Sequence, residues 1–406
     1  MSGFVEVYNV LSDVYQRGSW IGEALKKHLP ASSDKMAVRL VYSVVEREFL
    51  SEYRIARLTE RVPKPALKIL LKMGMCLIDE FDVPDHAAVN EITELTKKIG
   101  KGGASGFVNA VLRRYLIDGR ELYPSDPDEL LSVRSNRPLW LVKRYIAELG
   151  RSEAEKKLSA KHQVKTHIRP AFPFGKEALL AALSTRGVEY EETRYGFYVG
   201  DVGKLSDLFA EGKATVMSWS SLDVCANVPY HEGGILDLCA APGGKSVFLA
   251  EKYGAEVTSC DLYPHRVELI AKYASRMKVN SVHPTLWDGR NLKEEWKDSF
   301  SLVLLDAPCS GFGSLSSNPD IILDRSEKDL TEIIRTQKEL ILAASQYVFS
   351  GGALVYATCS DLPSENEEVV RSLTDARKDY TIEKQNYTDI TAGGGESYYF
   401  AILRKR

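Results

Sequence analysis

The stretch Gly233–Ser246, GGILDLCAAPGGKS, joins a short apolar segment to a glycine turn and the start of a helix. Its apolar part, Ile235–Leu238, favours a buried strand, and the Pro-Gly-Gly turn leads into an apolar helical stretch that begins near Lys245. A glycine turn lets a ligand approach bare backbone, and the first N–H groups of the following helix point towards that ligand. The sequence therefore predicts a ligand-binding turn after a strand.

Three classes of ligand use such a turn. A phosphate-binding loop needs G-x-x-x-x-G-K-[ST]; Gly244-Lys245-Ser246 fits its end, but Cys239 stands where its first glycine belongs, and G-x-G-x-x-G is absent. Three later strand candidates run into Asp261, Asp288 and Asp306. Each acid alone could cap a helix, but their repeated placement favours a ligand site. Carboxylates at three strand ends suit adenosine, and a single lysine suits S-adenosylmethionine better than a triphosphate.

Composition sets the broad limits. The 406 residues exceed one ordinary domain, and a net charge of −3 argues against a uniformly basic surface for nucleic acid. We find neither a bilayer-spanning apolar run nor a signal peptide, so we expect a cytoplasmic protein without a membrane partner. The six cysteines form no C-x-x-C pair, which predicts reduced thiols and no metal site. We also expect a monomer.

The residue pattern divides the chain into four segments. We predict an all-helical domain over residues 1–122, a linker over 123–138, a small α+β unit over 139–215 and an α/β domain over 216–406. Arg169, in a strand of the α+β unit, is either a contact for RNA or an exposed edge residue. Basic residues that could meet phosphates, or simply form a solvated face, flank a glycine turn of the helical domain: Lys97, Lys98, Lys101, Arg113 and Arg114.

Two cysteines follow predicted strands of the α/β domain. Cys309 lies in DAPCSGFG, just after Asp306, and Cys359 lies in YATCS. Either could be a small buried hydrophobe, but both are expected at the edge where open α/β sheets bind ligands. Beside a methyl donor, a thiolate that adds to carbon 6 of cytosine would activate carbon 5, with Asp306 near the ring. Such chemistry requires an unstacked base. Spacing alone does not say which thiol attacks.

Several motifs together resemble one enzyme family. LDLCAAPGGKS, DAPCSGFG, NPDI, YATCS followed by Glu365-Asn366-Glu367, and Tyr399-Phe400-Ala401 resemble the RNA cytosine-carbon-5 methyltransferases of the Sun/Fmu (NOL/NOP/Sun) family. DHAAVNE and GFVNAVLRR resemble the NusB-like RNA-binding domain of the ribosomal RNA members. The resemblance implies a Rossmann-like methyltransferase domain with a seven-stranded, mostly parallel sheet. This domain would follow the helical domain and an α+β unit that also binds RNA.

The resemblance also implies roles for residues. Cys359 would be the nucleophile, Cys309 would assist product release, and Asp306 would serve both cofactor and base. The implied S-adenosylmethionine site consists of Cys239, Ala240, Ala241, Pro242, Gly243, Gly244, Lys245, Asp261, Arg266, Asp288 and Asp306. The chain departs from the family where Met217–Ser220 replaces a common Gln-Asp pair and where Ile322-Leu323 replaces a basic-aromatic pair. These departures concern target choice and RNA affinity.

The sequence therefore predicts methylation of carbon 5 of a cytosine in RNA, with small-subunit (16S) ribosomal RNA as the expected substrate. Within the family, transfer RNA is an alternative. Two other classes remain open at this stage: an ATP-dependent enzyme that uses Gly244–Ser246 for phosphates, and a non-catalytic RNA-binding or antitermination factor built on the helical domain.

Overall fold

The computed structural model describes residues 3–29, 35–160, 164–388 and 394–406. The chain forms two compact units. The helical unit comprises Met1–Ala160 and Asn318–Arg325, and the sheet unit comprises Lys161–Ser317 and Ser326–Arg406. Within the described ranges, no helix combines the length and apolarity needed to cross a membrane.

The helical unit is built from amphipathic helices, and one hydrophobic core joins the helices between Phe4 and Tyr115. Pro65 begins its longest helix, as the sequence predicts, because proline is preorganised for a first helical position. That helix buries Leu70, Leu71 and Leu77 completely. In chain order the helices are α1 (Phe4–Arg17), α2 (Ile21–His28), α3 (Lys35–Glu46), α4 (Glu48–Leu58), α5 (Pro65–Glu80), α6 (Asp85–Thr96), α7 (Ser105–Arg114), α8 (Pro127–Ser135), α9 (Leu139–Leu149) and α10 (Arg151–Ser159).

The predicted linker over 123–138 is instead largely helical, because α8 occupies most of it. Asp126 caps α8 by accepting hydrogen bonds from two of its first backbone N–H groups. Asn136, just after the helix, donates a 2.9 Å hydrogen bond to the carbonyl of Val45. Helices α9 and α10, which we assigned to the α+β unit, also belong to the helical unit. The α+β part therefore starts after Ala160.

A small antiparallel sheet opens the sheet unit. Its strands lie in the order β2-β3-β1-β4. Phe197 and Tyr198 in β3 are buried, so these aromatic rings pack within the protein. The elements are β1 (Thr166–Pro170), α11 (Lys176–Thr185), β2 (Tyr190–Glu192), β3 (Phe197–Val199), α12 (Ser206–Ala210) and β4 (Ala214–Val216).

The main sheet has seven strands in the order β10-β11-β9-β8-β5-β6-β7. Four of its six strand pairs are parallel, which confirms the predicted fold class. The remaining elements, in chain order, are α13 (Trp219–Ala226), β5 (Gly234–Asp237), α14 (Gly244–Tyr253), β6 (Val257–Asp261), α15 (Pro264–Met277), β7 (Val282–Leu286), β8 (Phe300–Asp306), α16 (Ile321–Asp324), α17 (Glu327–Ala344), β9 (Val348–Thr358), α18 (Glu367–Ala376), β10 (Tyr380–Tyr387) and β11 (Tyr399–Lys405).

Both faces of the main sheet are covered. Leu302 and Leu304 of β8 belong to one hydrophobic cluster, whereas Val303 and Leu305 belong to another. Because successive side chains of a strand point to opposite faces, this alternation shows that apolar residues pack on each side of the sheet. The central strands are consequently continuous apolar runs, as their sequence predicted.

Arg169 of β1 is not available to RNA. Its side chain is 1% exposed and forms an ion pair of 2.6 Å with Glu251 of α14. It also lies over the ring of Phe248, 5.3 Å from the ring centroid. Because Arg169 and Glu251 are buried together, Arg169 connects the small sheet to helix α14, and the alternative of an exposed edge residue is also wrong.

The segment Asn318–Arg325, which contains the short helix α16, belongs to the helical unit, although Ser317 before it and Ser326 after it belong to the sheet unit. Asp320, just before α16, accepts a 2.7 Å hydrogen bond from the backbone N–H of Ile21 at the start of α2. Ile322 is buried, and Leu323 packs against the core of the helical unit. The apolar pair that replaces a basic-aromatic pair in NPDIIL thus has a packing role.

Candidate active site

Strands β5 to β9 are parallel to one another. Their carboxyl ends therefore lie at one edge of the main sheet. The turn after β5 is tight: the N–H of Gly243 donates a 2.7 Å hydrogen bond to the carbonyl of Ala240. Gly243 has a φ of 107°, and an added Cβ would lie 3.2 Å from the Cα of Ile270. Glycine is therefore required for this turn to pack against α15.

A cavity of about 300 Å³ lies beside this turn. Its lining includes seven of the eleven residues predicted for the cofactor: Cys239, Ala240, Ala241, Pro242, Gly244, Lys245 and Asp306. The lining also includes residues that the sequence analysis did not assign to a site: Val216, Met217, Ser218, Ser221, Asp237, Tyr273 and Tyr398. Met217 and Ser218 belong to the segment that departs from the family pattern, so this departure lies in the cavity wall.

The charged groups of the cavity include one cation. Lys245 Nζ lies 2.6 Å from Asp306 Oδ2 and 5.2 Å from the ring centroid of Tyr398. Asp237 supplies a second carboxyl group. The lining thus offers two acidic side chains and one lysine that is already paired, an arrangement that opposes a polyanion and suits a ligand with positive charge.

Asp237 is the residue of this cavity that sequence reasoning missed most clearly. Its side chain is fully buried, and Oδ2 accepts a 2.6 Å hydrogen bond from the hydroxyl of Ser246. Its other oxygen, Oδ1, is buried without a hydrogen-bond partner. Burial raises the pKa of Asp237 to about 7, with a contribution from the nearby charge of Asp306. A buried acceptor beside a cavity is a ready partner for a ligand donor.

The other predicted cofactor residues lie outside the lining of this cavity. Asp261, at the end of β6, accepts a 3.4 Å hydrogen bond from the N–H of Ala241 and pairs with Arg266 at 3.3 Å. It therefore adjoins the turn that forms the cavity wall. Asp288 follows β7 and forms an ion pair of 2.7 Å with Arg290. The hydrogen bond from Arg290 lowers the pKa of Asp288, which keeps this carboxylate charged.

The two cysteines that follow β8 and β9 lie together. The sulfur atoms of Cys309 and Cys359 are 2.8 Å apart, although the residues are fifty positions apart in sequence. The hydrogen bond with Cys359 and burial raise the pKa of the Cys309 thiol. At this distance the thiol of one cysteine can donate a hydrogen bond to the sulfur of the other.

Tyr398 connects the cavity to its electrostatic surroundings. It is part of the cavity lining, and burial raises the pKa of its hydroxyl, with contributions from the charges of Cys359 and Asp306. Asp306 lines the cavity and precedes Cys309 by three residues, so the cavity and the cysteine pair lie at the same edge of the main sheet. Cys225 and Cys260, by contrast, are fully buried and lie outside the cavity lining.

A second cavity, of about 420 Å³, lies between α6 and α7 of the helical unit. Its lining is mostly polar: Asp85, His86, Val89, Asn90, Thr93, Asn109, Arg113 and Leu116. All five basic residues that we singled out in this region are exposed. Lys97 pairs with Glu94 at 2.6 Å, and Arg113 donates a 3.0 Å hydrogen bond to Asn109.

Two family models match the chain. Residues 225–403 match a model described as 16S rRNA methyltransferase RsmB/F, and residues 6–116 match the NusB family. The first match covers β5 to β9 and both cysteines of the pair. The second covers α1 to α7 of the helical unit.

Curated relatives match over most of their length. A probable ribosomal RNA small subunit methyltransferase B of Bacillus subtilis (strain 168) is 30% identical over 366 residues, which are 85% of this chain and 80% of the relative. Ribosomal RNA small subunit methyltransferase B of Pseudomonas putida is 28% identical, over 94% of both chains.

Solved structures share the fold. The crystal structure of PH0851 has a TM-score of 0.82 at 22% identity and covers 99% of this chain and 98% of its own. The crystal structure of NSun6 from Pyrococcus horikoshii with SFG has a TM-score of 0.55 at 20% identity, over 66% of this chain and 98% of its own.

Proposed function

The chain belongs to the 16S rRNA methyltransferase RsmB/F family, and from that premise we propose that it methylates carbon 5 of a cytosine in small-subunit ribosomal RNA, with S-adenosylmethionine as methyl donor. The observation that carries this proposal is the cysteine pair at 2.8 Å, set beside a ligand cavity at the carboxyl edge of the main sheet. A methyl transfer to oxygen or to an exocyclic nitrogen would have no use for two adjacent thiols.

The cavity beside β5 fits S-adenosylmethionine better than a nucleoside triphosphate. The unpartnered Oδ1 of Asp237 and the Lys245–Asp306 pair provide acceptors for a ligand that carries ammonium and hydroxyl groups. Ala240 and Ala241 line the cavity with small side chains, which leaves room for an adenosine beside the turn. When bound, S-adenosylmethionine would supply an electrophilic methyl group on its sulfonium. A triphosphate would meet two carboxyl groups and a lysine whose charge is already balanced.

We assign the nucleophile to Cys359 and the release step to Cys309. The Cys359 sulfur forms a bond to carbon 6 of the cytosine, which turns carbon 5 into an enamine-like nucleophile. After carbon 5 is methylated, a base removes its proton, the bond between carbon 6 and sulfur breaks, and the thiolate of Cys359 is restored. Cys309, whose raised pKa keeps it protonated, can donate its own proton to that sulfur as the bond breaks, and is then itself reprotonated from solvent.

The helical unit is proposed to bind the RNA that presents the cytosine. Its match to the NusB family and its exposed lysines and arginines near α7 support this role. Contacts from such side chains to phosphates would make binding sensitive to salt rather than to sequence.

The test uses two cysteine variants. Cys359→Ala is expected to lose methyl transfer from tritiated S-adenosylmethionine into ribosomal RNA, because the covalent step is lost. Cys309→Ala is expected to form the covalent adduct and to release product slowly. RNA that carries 5-fluorocytidine should trap the adduct with the wild-type enzyme and with Cys309→Ala, seen as a protein–RNA band in denaturing gels.

Bisulfite sequencing of ribosomal RNA from a deletion strain would then identify the modified cytosine. Methylation by Cys359→Ala at the wild-type rate, or a modified cytosine found in transfer RNA alone, would contradict the proposal.

A further inference from the structure

A buried glutamate links the two loops that carry the cysteines. Glu365 lies just before α18 and is 0% exposed. Its carboxylate accepts hydrogen bonds from the backbone N–H of Ser310 (2.8 Å), the hydroxyl of Ser310 (2.5 Å) and the hydroxyl of Ser360. Ser310 directly follows Cys309, and Ser360 directly follows Cys359. One side chain therefore holds both loops immediately beside their thiols.

Gln337 of α17 adds a third support. Its amide donates a 3.0 Å hydrogen bond to Glu365 Oε1 and another of 3.0 Å to the carbonyl of Pro308. An ionised carboxylate only accepts hydrogen bonds and has room for about four of them, which is the number that these neighbours supply. Burial raises the pKa of Glu365, while the hydrogen bonds from Ser310, Ser360 and Gln337 oppose that rise.

Backbone pairing alone does not fix the thiols. The ladder between β8 and β9 continues to the hydrogen bond from the N–H of Ala307 to the carbonyl of Ala357, at 2.8 Å. The next backbone link joins Gly313 to the carbonyl of Cys359, at 2.9 Å. Cys309 lies in the interval between these two links. The loop segment that carries it is held to the Cys359 loop through Glu365.

We propose that Glu365 is a positioning residue that holds the Cys309 and Cys359 loops so that the two sulfur atoms face each other. This inference deepens the proposed function and rests on it for its catalytic meaning. Glu365 is outside the lining of the 300 Å³ cavity. Its loss should therefore affect the thiols without affecting the binding of S-adenosylmethionine.

The experiment compares Glu365→Gln with Glu368→Gln, a matched control at an exposed position three residues later. Glutamine keeps the size of the side chain but presents an N–H₂ group to neighbours that are themselves donors. The first readout is the rate at which phenylarsine oxide bridges Cys309 and Cys359, because one arsenic atom must bond to both sulfur atoms. The second is turnover, separated into kcat and the Kd of S-adenosylmethionine.

In Glu365→Gln we expect arsenic bridging to slow markedly and kcat to fall about 10²-fold, the usual cost of a displacement near 1 Å in an active site. The Kd of S-adenosylmethionine should stay at the wild-type value. Glu368→Gln should match the wild type in all three measurements. Wild-type bridging and kcat in a folded Glu365→Gln enzyme would overturn the inference.

If Glu365→Gln does not fold, Ser310→Ala and Ser360→Ala decide the question, since each removes hydroxyl donation from one loop. Slower bridging in either supports the inference, and wild-type bridging and turnover in both overturn it. Bridging needs neither RNA nor methyl donor, so the two proposals can fail separately. If Glu365→Gln slows bridging but the wild-type enzyme does not methylate cytosine, the proposed function is contradicted and the positioning role of Glu365 is still supported.

Discussion

At the scale of single residues, Asp237 combines burial with a free acceptor and should couple stability to pH. Its pKa rises from 3.8 to about 7 on folding, so between these values unfolding releases a proton. Stability therefore falls as pH rises from about 4 to about 7 and then levels off. We expect Asp237→Asn, which carries no titratable group, to melt at a higher temperature than the wild type at pH 8, with the difference vanishing near pH 4.

The same variant should bind S-adenosylmethionine about tenfold more weakly, since a hydrogen bond to a charged group is lost. Calorimetric titration at pH 8 measures this loss. Asp379→Asn is a control for which the opposite change in stability is expected. The hydrogen bond from Arg377 lowers the pKa of Asp379, so replacing this carboxylate should lower stability slightly at pH 8. Unchanged melting and binding in Asp237→Asn would contradict the role of Asp237.

The acids that follow predicted strands were assigned to the cofactor site from the sequence, whereas Asp237 was not. Asp261, Asp288 and Asp306 stand at the predicted strand ends, where a carboxylate is easily assigned to a ligand. Asp237 is the last residue of β5, inside the apolar run, and only the orphaned Oδ1 reveals its availability. Glu365 was noted within a motif, yet its bonds to Ser310 and Ser360 depend on loops far apart in the chain.

At the scale of elements, the turn after β8 packs directly against the Cys359 loop through Gly313. A Cβ at this position would lie 2.6 Å from the carbonyl oxygen of Ser397 and 2.9 Å from that of Cys359. Because both neighbours are backbone atoms, Gly313→Ala should cost about 1–3 kcal/mol of stability. It should also slow arsenic bridging of the cysteine pair.

Chemical denaturation and the bridging rate measure these effects. Gly200→Ala is the matched control in the sheet unit, since nothing lies within 4 Å of an added Cβ there. Equal stability and equal bridging rates in Gly313→Ala and Gly200→Ala would contradict the close packing of Gly313 against the Cys359 loop.

Strands and helices were predictable where one apolar pattern dominated. β5 to β8 were predictable because β5 and β8 are short apolar runs and because an acid closes or follows β6, β7 and β8. α8 was missed because its prolines suggested a linker. Asp126-Pro127 is in fact a helix start, with an acidic cap and proline at the first position, and that signal was available in the sequence. The short distance between the two thiols could not be predicted from the sequence, because it depends on the pairing of β8 with β9.

At the scale of the whole molecule, the ligand that stabilises the chain separates the candidate functions. We expect S-adenosylmethionine at a hundredfold excess over its Kd to stabilise the folded state by about 2.7 kcal/mol. ATP with magnesium should leave the melting temperature unchanged, because Lys245 is already paired with Asp306. Thermal melting with each ligand checks this expectation. Stabilisation by ATP alone would favour the phosphate-binding alternative.

The segment Asn318–Arg325 constrains how the protein can have evolved. It belongs to the helical unit but interrupts the chain of the sheet unit. A gene fragment that encodes Met1–Ala160 lacks Asp320, the partner of Ile21, and Leu323, which packs against the helical core. Exchange of this amino-terminal part by simple recombination would leave the amide of Ile21 without its carboxylate partner in one protein and Leu323 without its packing partners in the other. The two halves are therefore expected to have been inherited together.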